Sequence, residues 1–309
     1  MSAAAAFPRL QTLIDSARSN TGVALVYPCN APALHAACSI AAQGVARPVL
    51  VGPRDSMARA ADTAHVNLRD FECIDAPLEP RAAADTAVAL ARDGVVAALM
   101  KGSLHTDELM SAVVARNGGL RTNARISHIF VFDLPRYHKL LALADCVVNI
   151  APQLDTKRDI LRNALGVLRA LGVEGPKVGI VAAVETVNPS IQATLDAHAL
   201  AQAVWNDAIV EGPCGFDNAI SADAARVKGM NSRVAGDADL LLMPDLNAAN
   251  MLYKSFTYIG GGECAGLVLG ARVPVILTSR ADSALAGLAS VALAVTVAQA
   301  NTHEATIRC

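Results

Sequence analysis

The sequence predicts an α/β protein with a mostly parallel sheet, and three observations support that class. Short apolar runs alternate with helical patterns along nearly all of the 309 residues. The runs are continuous rather than alternating, as in strands that are buried on both faces. The segments between them are long enough for the helical crossover that joins two parallel strands.

The first part of the chain shows this alternation most clearly. The strand Val23–Tyr27 stops at Pro28, and the strand Pro48–Val51 stops at Gly52-Pro53, because glycine and proline interrupt regular structure. In chain order the predicted elements are strand 23–27, helix 33–43, strand 48–51, helix 54–65, strand 71–74, helix 81–92, strand 95–100 and helix 106–116. This order indicates consecutive βα units.

The middle of the chain departs from this rhythm. Three strand-like runs, Ile126–Phe132, Lys139–Leu143 and Cys146–Ile150, follow one another without a helix between them. Consecutive strands with short connections indicate antiparallel hairpins. The break also suggests a change of domain near residue 130.

The alternation then resumes to the end of the chain. Asp155 and Asp245 are placed to cap helices. The predicted elements are helix 155–171, strand 177–184, helix 189–205, strand 208–210, strand 239–243, helix 245–258, strand 266–269, strand 275–278 and helix 283–300. The last strand and helix return to the first domain, so domain I comprises residues 1–130 and 274–309 and domain II comprises residues 131–273.

Composition and charge limit the function. With 53% hydrophobic and 17% charged residues the chain can bury a large core. A net charge of −2 without a basic block argues against nucleic acid as a partner. No apolar run reaches the roughly 20 residues that span a bilayer, and no secretion signal is evident, so no membrane association is expected. Seven scattered cysteines without a C-x-x-C pair indicate free thiols and a cytoplasmic location.

The stretch Pro274–Asp282 carries the most informative polar residues. An apolar run is followed at once by Ser279, Arg280 and Asp282, as at the carboxyl end of a buried strand. Ligands of open α/β sheets bind beyond that end, and the start of the following helix favours anions. The alternative is that Ser279 only caps the helix, because Ser-x-x-Asp is also a capping box.

Four further polar clusters follow predicted strands in the same way. Taken singly, each is also what a helix cap or a turn requires. Together, at the same ends of parallel strands, they outline a cleft with anion-binding and hydrogen-bonding groups. The candidate binding residues in these clusters are Lys101, Gly102, His105, Asn188, Ser190, Glu211, Asp245 and Asn247.

The segment Gly119–His128 adds Arg121, Arg125 and His128 just before the change in rhythm. Guanidinium groups bind phosphate in a bidentate manner, and a histidine can titrate near neutral pH. The alternative is a solvated basic loop with a buried histidine. No two histidines have the spacing of metal ligands on one helix, so no metal site is predicted.

The segment Gly260–Ala265 matches the loose dinucleotide-binding pattern G-x-G-x-x-G/A. It follows a predicted helix and precedes a strand, whereas a phosphate-binding loop follows a strand and opens a helix. We therefore interpret it as a turn that ends a helix.

Eight short motifs occur in one order from the first third of the chain to its end. They are Lys101–Asp107, Gly119–Thr122, Ala144–Asn149, Glu211–Pro213, Val234–Asp239, Pro244–Asn247, Asn250–Lys254 and Thr278–Arg280. In this order they resemble the phosphate acetyltransferase/phosphate butyryltransferase family. Val187–Ser190, Thr194–Ala197 and Ser279–Ser283 are more similar to its butyryl-type branch.

The resemblance implies a fold and a reaction. The fold is two α/β/α domains with an interdomain cleft that holds the active site, similar to isocitrate and isopropylmalate dehydrogenases. The reaction is acyl-CoA + phosphate ⇌ acyl phosphate + CoA, by direct attack of the CoA thiolate in a ternary complex. Coenzyme A, phosphate and a short acyl phosphate are then the substrates, without a tightly bound cofactor, in a homodimer or larger homo-oligomer. The acyl chain, acetyl or butyryl, stays open.

The resemblance also assigns roles to individual residues. Ser279 would hydrogen-bond the substrate carbonyl as the oxyanion forms, and Arg280 would hold the phosphate. The acetyl-type enzymes carry a further arginine where this chain has Met110, and Arg121 or Arg125 would substitute for it.

The general base is the point where this chain departs from the acetyl-type pattern. The aspartate of those enzymes corresponds to Ala286, which leaves Asp282 or Glu211 as the base. Two other functions stay open on the sequence: a metal- and NAD-dependent dehydrogenase of the same fold, and a catalytically silent protein that binds CoA or acyl phosphate.

Overall fold

The computed structural model describes residues 6–277 and 282–307. The chain divides into two compact units, the first Met1–Ala124 with Ala265–Cys309 and the second Arg125–Cys264. Residues 125–130 and 265–273 thus lie on the other side of the limits suggested by the sequence, and the domain limits given there stay predictions.

Strands and helices alternate along both units. The strands are β1 Gly22–Val26, β2 Arg47–Gly52, β3 Glu72–Asp75, β4 Ala98–Lys101, β5 Ser127–Asp133, β6 Leu141–Ala144, β7 Lys177–Val181, β8 Ile209–Cys214, β9 Leu240–Leu242, β10 Glu263–Leu269 and β11 Val275–Ile276. The helices are α1 Pro8–Ser16, α2 Ala31–Gln43, α3 Arg54–Ala64, α4 Pro80–Arg92, α5 Thr106–Val113, α6 Leu154–Ala170, α7 Gln192–Ala201, α8 Phe216–Ile220, α9 Ala222–Val227, α10 Leu246–Tyr258 and α11 Ala284–Ile307.

The first unit has the parallel sheet that the sequence predicts. Its strands lie in the order β3-β2-β1-β4-β11-β10, and only β10 runs antiparallel to its neighbour β11. All residues of β1 are buried, as a strand covered on both faces requires. Local signals set the helix bounds: the Asn30 side chain accepts a hydrogen bond from the Ala33 N–H at the start of α2, and Gly44, with a φ of 66°, ends that helix.

The second unit combines a hairpin with a parallel sheet. Its strands lie in the order β5-β6-β9-β7-β8, and β5 and β6 form the antiparallel pair predicted from the sequence. The core on one face is aromatic, with the Phe132 ring 5.2 Å from that of Phe256 and the Phe130 ring stacked 4.5 Å from that of Tyr253. These contacts fix α10 against β5.

The prediction of a strand at Cys146–Ile150 is wrong. The carboxylate of Asp145 accepts hydrogen bonds from the backbone N–H groups of Val147, Val148 and Asn149 at 2.9, 3.0 and 3.3 Å. These donors would otherwise pair with a neighbouring strand, so the segment is a loop although its residues are β-prone.

Two predicted helix starts are also wrong. Asp155 lies inside the first turn of α6, where it pairs with Arg158, and it does not cap the helix. The helix expected from Pro189 begins only at Gln192, because the hydroxyl of Thr194 accepts the Asn188 N–H and stabilises a turn there.

The end of β8 also differs from the prediction. Gly212-Pro213 was expected to end the strand after Val210, but β8 continues to Cys214. Proline lacks the N–H that a central strand needs, and β8 is the edge strand of this unit, where that donor is not required. Glu211 therefore lies within a strand rather than at its carboxyl end.

The final helix is longer and more apolar than expected. In α11 the stretch Ala284–Thr302 is long and apolar enough to cross a membrane by length and composition, and half of it is buried in the protein. Val291 and Leu293 have no exposed surface. A buried core helix of this length meets the same criterion.

Candidate active site

The first unit brings Lys101 and Leu277 to the same carboxyl edge. Strands β4 and β11 run parallel, with Leu99 paired to Val275 and Met100 paired to Ile276. Lys101 ends β4, and Leu277 is the last described residue after β11. The predicted catalytic residues Ser279 and Arg280 lie outside the described residues.

Gly102 allows the loop after β4 to lie against the end of β1. Its N–H donates to the Val26 carbonyl at 2.9 Å, and a Cβ at this position would lie 2.4 Å from the same oxygen and 2.8 Å from that of Tyr27. The hydroxyl of Ser103 donates to the Tyr27 carbonyl at 2.7 Å and accepts the Cys29 N–H at 3.2 Å. Only glycine fits this close approach.

Lys101 and His105 flank the start of a helix. Lys101 is half-buried, and its Nζ lies 3.5 Å from the Gly102 carbonyl. His105 is exposed, precedes α5, and donates its backbone N–H to the Glu108 carboxylate at 2.7 Å. α5 begins five residues after Lys101, and the amides of a first helical turn favour a bound anion, whereas Asp107 and Glu108 place two carboxylates in the same turn.

The thiol of Cys29, whose N–H donates to Ser103, is not an activated nucleophile. Burial raises the pKa of Cys29 to about 11, and the positive charge of Arg59 offsets only part of this effect. The thiol is therefore protonated at neutral pH, and a covalent acyl-cysteine route through Cys29 is not favoured.

Two further predicted residues of the first unit are Arg121 and Asp282. The backbone of Arg121 forms an isolated antiparallel β-bridge with Ala271, in the turn that precedes β11. Arg121 therefore lies at the amino edge of the sheet and not beside Lys101. Asp282 is exposed. The cap of α11 is Ser283, whose hydroxyl accepts the Ala286 N–H at 3.0 Å.

In the second unit His128 lies at the carboxyl edge of the parallel strands. Ile129 pairs with Ala144 in the hairpin, so His128 comes next to Asp145. His128 is 3% exposed, and its Nδ1 has no hydrogen-bond partner among the described residues. Burial lowers the pKa of His128 to about 4, and the negative charge of Asp145 opposes that effect. The imidazole is therefore neutral at neutral pH.

The start of α10 lies against the same loop. Asp245 caps this helix by accepting the Ala248 N–H at 3.0 Å, which confirms its predicted role as a cap. Asn250 donates its side-chain amide to the Cys146 carbonyl at 3.3 Å, and the Leu246 N–H donates to Ile150 at 3.0 Å. Asn247 is exposed in the first turn.

Three other predicted residues of this unit have structural roles. Asn188 forms a turn in which its side-chain oxygen accepts the Ser190 N–H at 2.9 Å. Glu211, within β8, accepts hydrogen bonds from the Ser232 hydroxyl and the Arg233 N–H. Its predicted place after the strand is wrong, and these two donors account for its carboxylate.

Arg125 is exposed at the start of the second unit. Its Nε lies 3.9 Å from the Asp159 carboxylate, and its carbonyl accepts the Asn163 side-chain amide at 2.8 Å.

The sequence did not single out Ser103 or Asp145. Both lie in motifs that were recognised, Lys101–Asp107 and Ala144–Asn149, and both tie loops at a carboxyl edge. The signal available was a short polar side chain directly after a buried strand, where Asp and Ser bond local backbone groups.

Within residues 6–277 and 282–307, no three His, Cys, Asp or Glu side chains are grouped in a way that could hold a metal ion. The metal-free site expected from the sequence stays a prediction.

The fold and these two edges define an α/β enzyme of the acyltransferase class once the chain is compared with known proteins. Residues 80–295 match the family described as phosphate acetyl/butaryl transferase. The protein belongs to this phosphate acetyltransferase/phosphate butyryltransferase family, as the motifs predicted.

Two curated relatives represent the two branches. The chain is 46% identical to a phosphate acetyltransferase of Rhizobium meliloti over 288 residues, which cover 91% of each chain. It is 37% identical to a phosphate butyryltransferase of Clostridium acetobutylicum over 280 residues, which cover 89% of this chain and 93% of the relative.

Solved structures agree on the fold. A branched-chain phosphotransacylase from Enterococcus faecalis is similar with a TM-score of 0.81 at 26% identity, covering 90% of this chain and 99% of that one. A 4-hydroxythreonine-4-phosphate dehydrogenase from Klebsiella pneumoniae has a TM-score of 0.51 at 15% identity over 91% of this chain and 100% of that one, a likeness of fold alone.

Proposed function

We propose that this protein catalyses the reversible transfer of a short acyl group between CoA and inorganic phosphate. Family membership over residues 80–295 supports an acyltransferase over the same-fold dehydrogenase. The structural observation that supports the site is the pairing of Met100 with Ile276, since it brings Lys101, which opens one family motif, and Leu277, which precedes another in sequence, to one sheet edge.

The proposed phosphate site begins at Lys101. Its ammonium group and the first amides of α5 offer positive charge to a phosphate or acyl phosphate. Gly102 lets the loop after Lys101 lie against the end of β1, where a Cβ would be 2.4 Å from the Val26 carbonyl oxygen. His105 is exposed at the same helix start and is part of the proposal.

Ser279 and Arg280 are proposed as the reacting centre on the family resemblance. The CoA thiolate attacks the acyl-phosphate carbonyl carbon, the C–S bond forms, and the C–O bond to phosphate breaks in the second step. The serine hydroxyl donates to the carbonyl oxygen while it carries negative charge, and the guanidinium offsets the charge of the departing phosphate.

The thiol proton needs only a weak base. A thiol with a pKa near 8.5 is already a few per cent ionised at neutral pH. Ala286, which corresponds to the aspartate of the acetyl-type enzymes, has no acidic group and is 6% exposed in α11. Asp282, exposed just before that helix, is therefore the base that we propose, and Glu211 is less suitable because its carboxylate is already bonded to Ser232 and Arg233.

The second unit contributes the remaining proposed contacts. They are Arg125, His128, Asn188, Ser190, Asp245 and Asn247, and their role in binding CoA or phosphate stays a prediction. The dehydrogenase-like two-domain arrangement, the cytoplasmic location and the homodimeric or larger assembly are likewise predictions. Light scattering of the purified protein tests the assembly, and cell fractionation tests the location.

A single assay separates the candidate functions. Purified protein is mixed with CoA and either acetyl phosphate or butyryl phosphate, and thioester formation is followed by ultraviolet absorbance with and without EDTA. We expect thioester in both the presence and the absence of EDTA. The ratio of the rate with acetyl phosphate to the rate with butyryl phosphate gives the acyl preference. Ser279→Ala and Arg280→Ala are each expected to lower the rate by roughly 10²-fold or more. Full activity in both variants would refute these roles.

A further inference from the structure

Three arginines lie on one face of α6. Arg158, Arg162 and Arg169 follow one another at intervals of four and seven residues. At 3.6 residues per turn, these positions fall within about 40° of one another around the helix axis. Like charges four residues apart on a helix repel each other. The three guanidinium groups are therefore stabilised by negative charge that lies nearby.

Neighbouring aspartates supply part of that charge. Arg158 pairs with Asp155 at 2.5 Å, and Arg162 pairs with Asp159 at 3.1 Å. Each of these contacts uses one Nη1 of a guanidinium group that carries five N–H donors. Asp155 is 89% exposed, and ion pairs in such a position are weak. The two guanidinium groups can therefore bind a further anion without losing these partners.

The same three arginines line a surface pocket of about 350 Å³. Its other walls include Val204 and Trp205, from the segment that follows α7. No aspartate or glutamate of the described part of the chain lines this pocket. Its volume lies within the range of small-molecule sites. The pocket thus presents three positive charges and no negative charge to a ligand.

The wall opposite α6 is held in place by hydrogen bonds. The Nε and Nη2 of Arg169 donate to the two carboxylate oxygens of Asp207 at 3.2 and 2.7 Å. The indole N–H of Trp205 donates to the Leu200 carbonyl at 2.8 Å. These bonds tie the segment after α7 to both helices. A pocket with walls fixed in this way loses little conformational freedom when a ligand binds.

We propose that this pocket binds a small molecule that carries two or more phosphate groups. The planar guanidinium group binds phosphate oxygens in a bidentate manner. Arg158 and Arg162 are about 6 Å apart along the helix axis, and Arg169 lies about 10 Å beyond Arg162. A single phosphate group is too small to bridge this row, whereas a chain of phosphate groups spans more of it. The spacing therefore favours an oligophosphate over orthophosphate.

Nucleoside polyphosphates and CoA both carry such phosphate groups, and the arginines recognise the chemistry that the two share. The pocket lies wholly within the second unit, and its existence does not depend on the proposed acyl transfer. The unaltered protein is titrated calorimetrically with inorganic tripolyphosphate and, separately, with orthophosphate. Tripolyphosphate is expected to bind at least about tenfold more tightly, because it makes at least one more charge-assisted contact.

Variants test the arginines themselves. Arg162→Gln alters a side chain that is 63% exposed, so the fold is expected to persist while tripolyphosphate affinity falls by about tenfold. Arg226→Gln is the matched control, because Arg226 pairs with Asp223 three residues earlier, as Arg162 does with Asp159, but lies outside the pocket. It should leave the affinity unchanged. Lys101→Ala should also retain this binding, which separates the pocket from the proposed phosphate site of the first unit.

The source of the phosphate groups is found by titrating ATP and CoA into the unaltered protein and into Arg162→Gln. A fall of about tenfold in affinity for ATP alone identifies a free nucleotide, and the same fall for CoA alone identifies CoA. Equal falls show that only the phosphate groups are recognised. Undiminished tripolyphosphate binding by Arg162→Gln, or an equal loss with Arg226→Gln, would overturn the proposal. Orthophosphate that binds as tightly as tripolyphosphate would overturn it as well.

Discussion

Met100 of β4 lies directly beside Ile276 of β11, because the two strands run parallel and in register. Each strand leads into a polar segment, Lys101-Gly102 in one case and residues 278–280 in the other. The two segments are far apart in sequence, so neither alone defines a site. This pairing is the basis on which we propose the carboxyl edge of β4 and β11 as the location of the reaction.

Lys101 and Arg121 allow a direct test of this location. Arg121 pairs with Ala271 at the opposite edge of the sheet, although the sequence suggested both side chains as phosphate ligands. Lys101→Ala is expected to lower kcat/KM for acyl phosphate by about 10- to 100-fold, since a charge-assisted contact is lost. Arg121→Ala is expected to stay within about threefold of the unaltered enzyme. A larger loss with Arg121→Ala than with Lys101→Ala would contradict this location.

Gly102 is predicted to be intolerant of any side chain. Gly102→Ala places a Cβ 2.4 Å from the Val26 carbonyl oxygen, so the loop must move. We expect a loss of about 1–3 kcal/mol in the free energy of unfolding, measured by urea titration, together with a loss of activity. Gly166→Ala is the control, because Gly166 is exposed in α6 and a Cβ there meets nothing within 4 Å. That change should stabilise the protein by about 0.5–1 kcal/mol.

The carboxylate of Asp145 is predicted to stabilise the loop Cys146–Ile150. It accepts three backbone N–H groups and the Asn149 amide, the last at 2.6 Å, and it is 3% exposed. Asp145→Ala leaves these donors unsatisfied and should lower the free energy of unfolding by about 3 kcal/mol. Asp155→Ala, which removes a carboxylate that is 89% exposed, should change it by less than about 0.5 kcal/mol. Equal effects of the two changes on urea unfolding would refute the role of Asp145.

His128 is predicted to make stability depend on pH. Burial lowers its pKa from 6.5 to about 4 in the folded protein, so between these values the unfolded chain binds a proton that the folded chain does not. The contribution of the neutral His128 ring to the free energy of unfolding is therefore fully present above pH 6.5. It is lost as the pH falls toward 4, by up to about 3 kcal/mol.

The control for His128 is the exposed His198. Unfolding free energies of His128→Gln should vary less between pH 6.5 and 4 than those of the unaltered protein, whereas His198→Gln should leave the slope unchanged. A His128→Gln protein with the full pH slope would show that another group titrates in this range.

Continuous apolar runs made most of the fold predictable. The strand β1 was placed within one residue at each end because a Val- and Leu-rich run is bounded by Gly22 and Pro28. The loop Cys146–Ile150 could not be recognised in this way, since its residues are as β-prone as those of a strand. Its conformation depends on the Asp145 carboxylate, which captures the backbone donors.

The candidate site was predictable in part for the same reason. Residues at or shortly after strand ends, such as Lys101 and Asp245, could be proposed because strand ends are visible in the sequence. Glu211 was misplaced, because Gly212-Pro213 is an ordinary terminator in a central strand and is tolerated in the edge strand β8. Which strand is the edge depends on the topology and not on local sequence.

The most direct test of the central claim is CoA-dependent thioester formation from an acyl phosphate by the purified protein. With acetyl phosphate or butyryl phosphate as donor, we expect stoichiometric release of inorganic phosphate with each thioester formed, in either the presence or the absence of EDTA. No thioester with either donor, from a protein whose folding is verified by circular dichroism, would contradict the assignment as a phosphate acyltransferase.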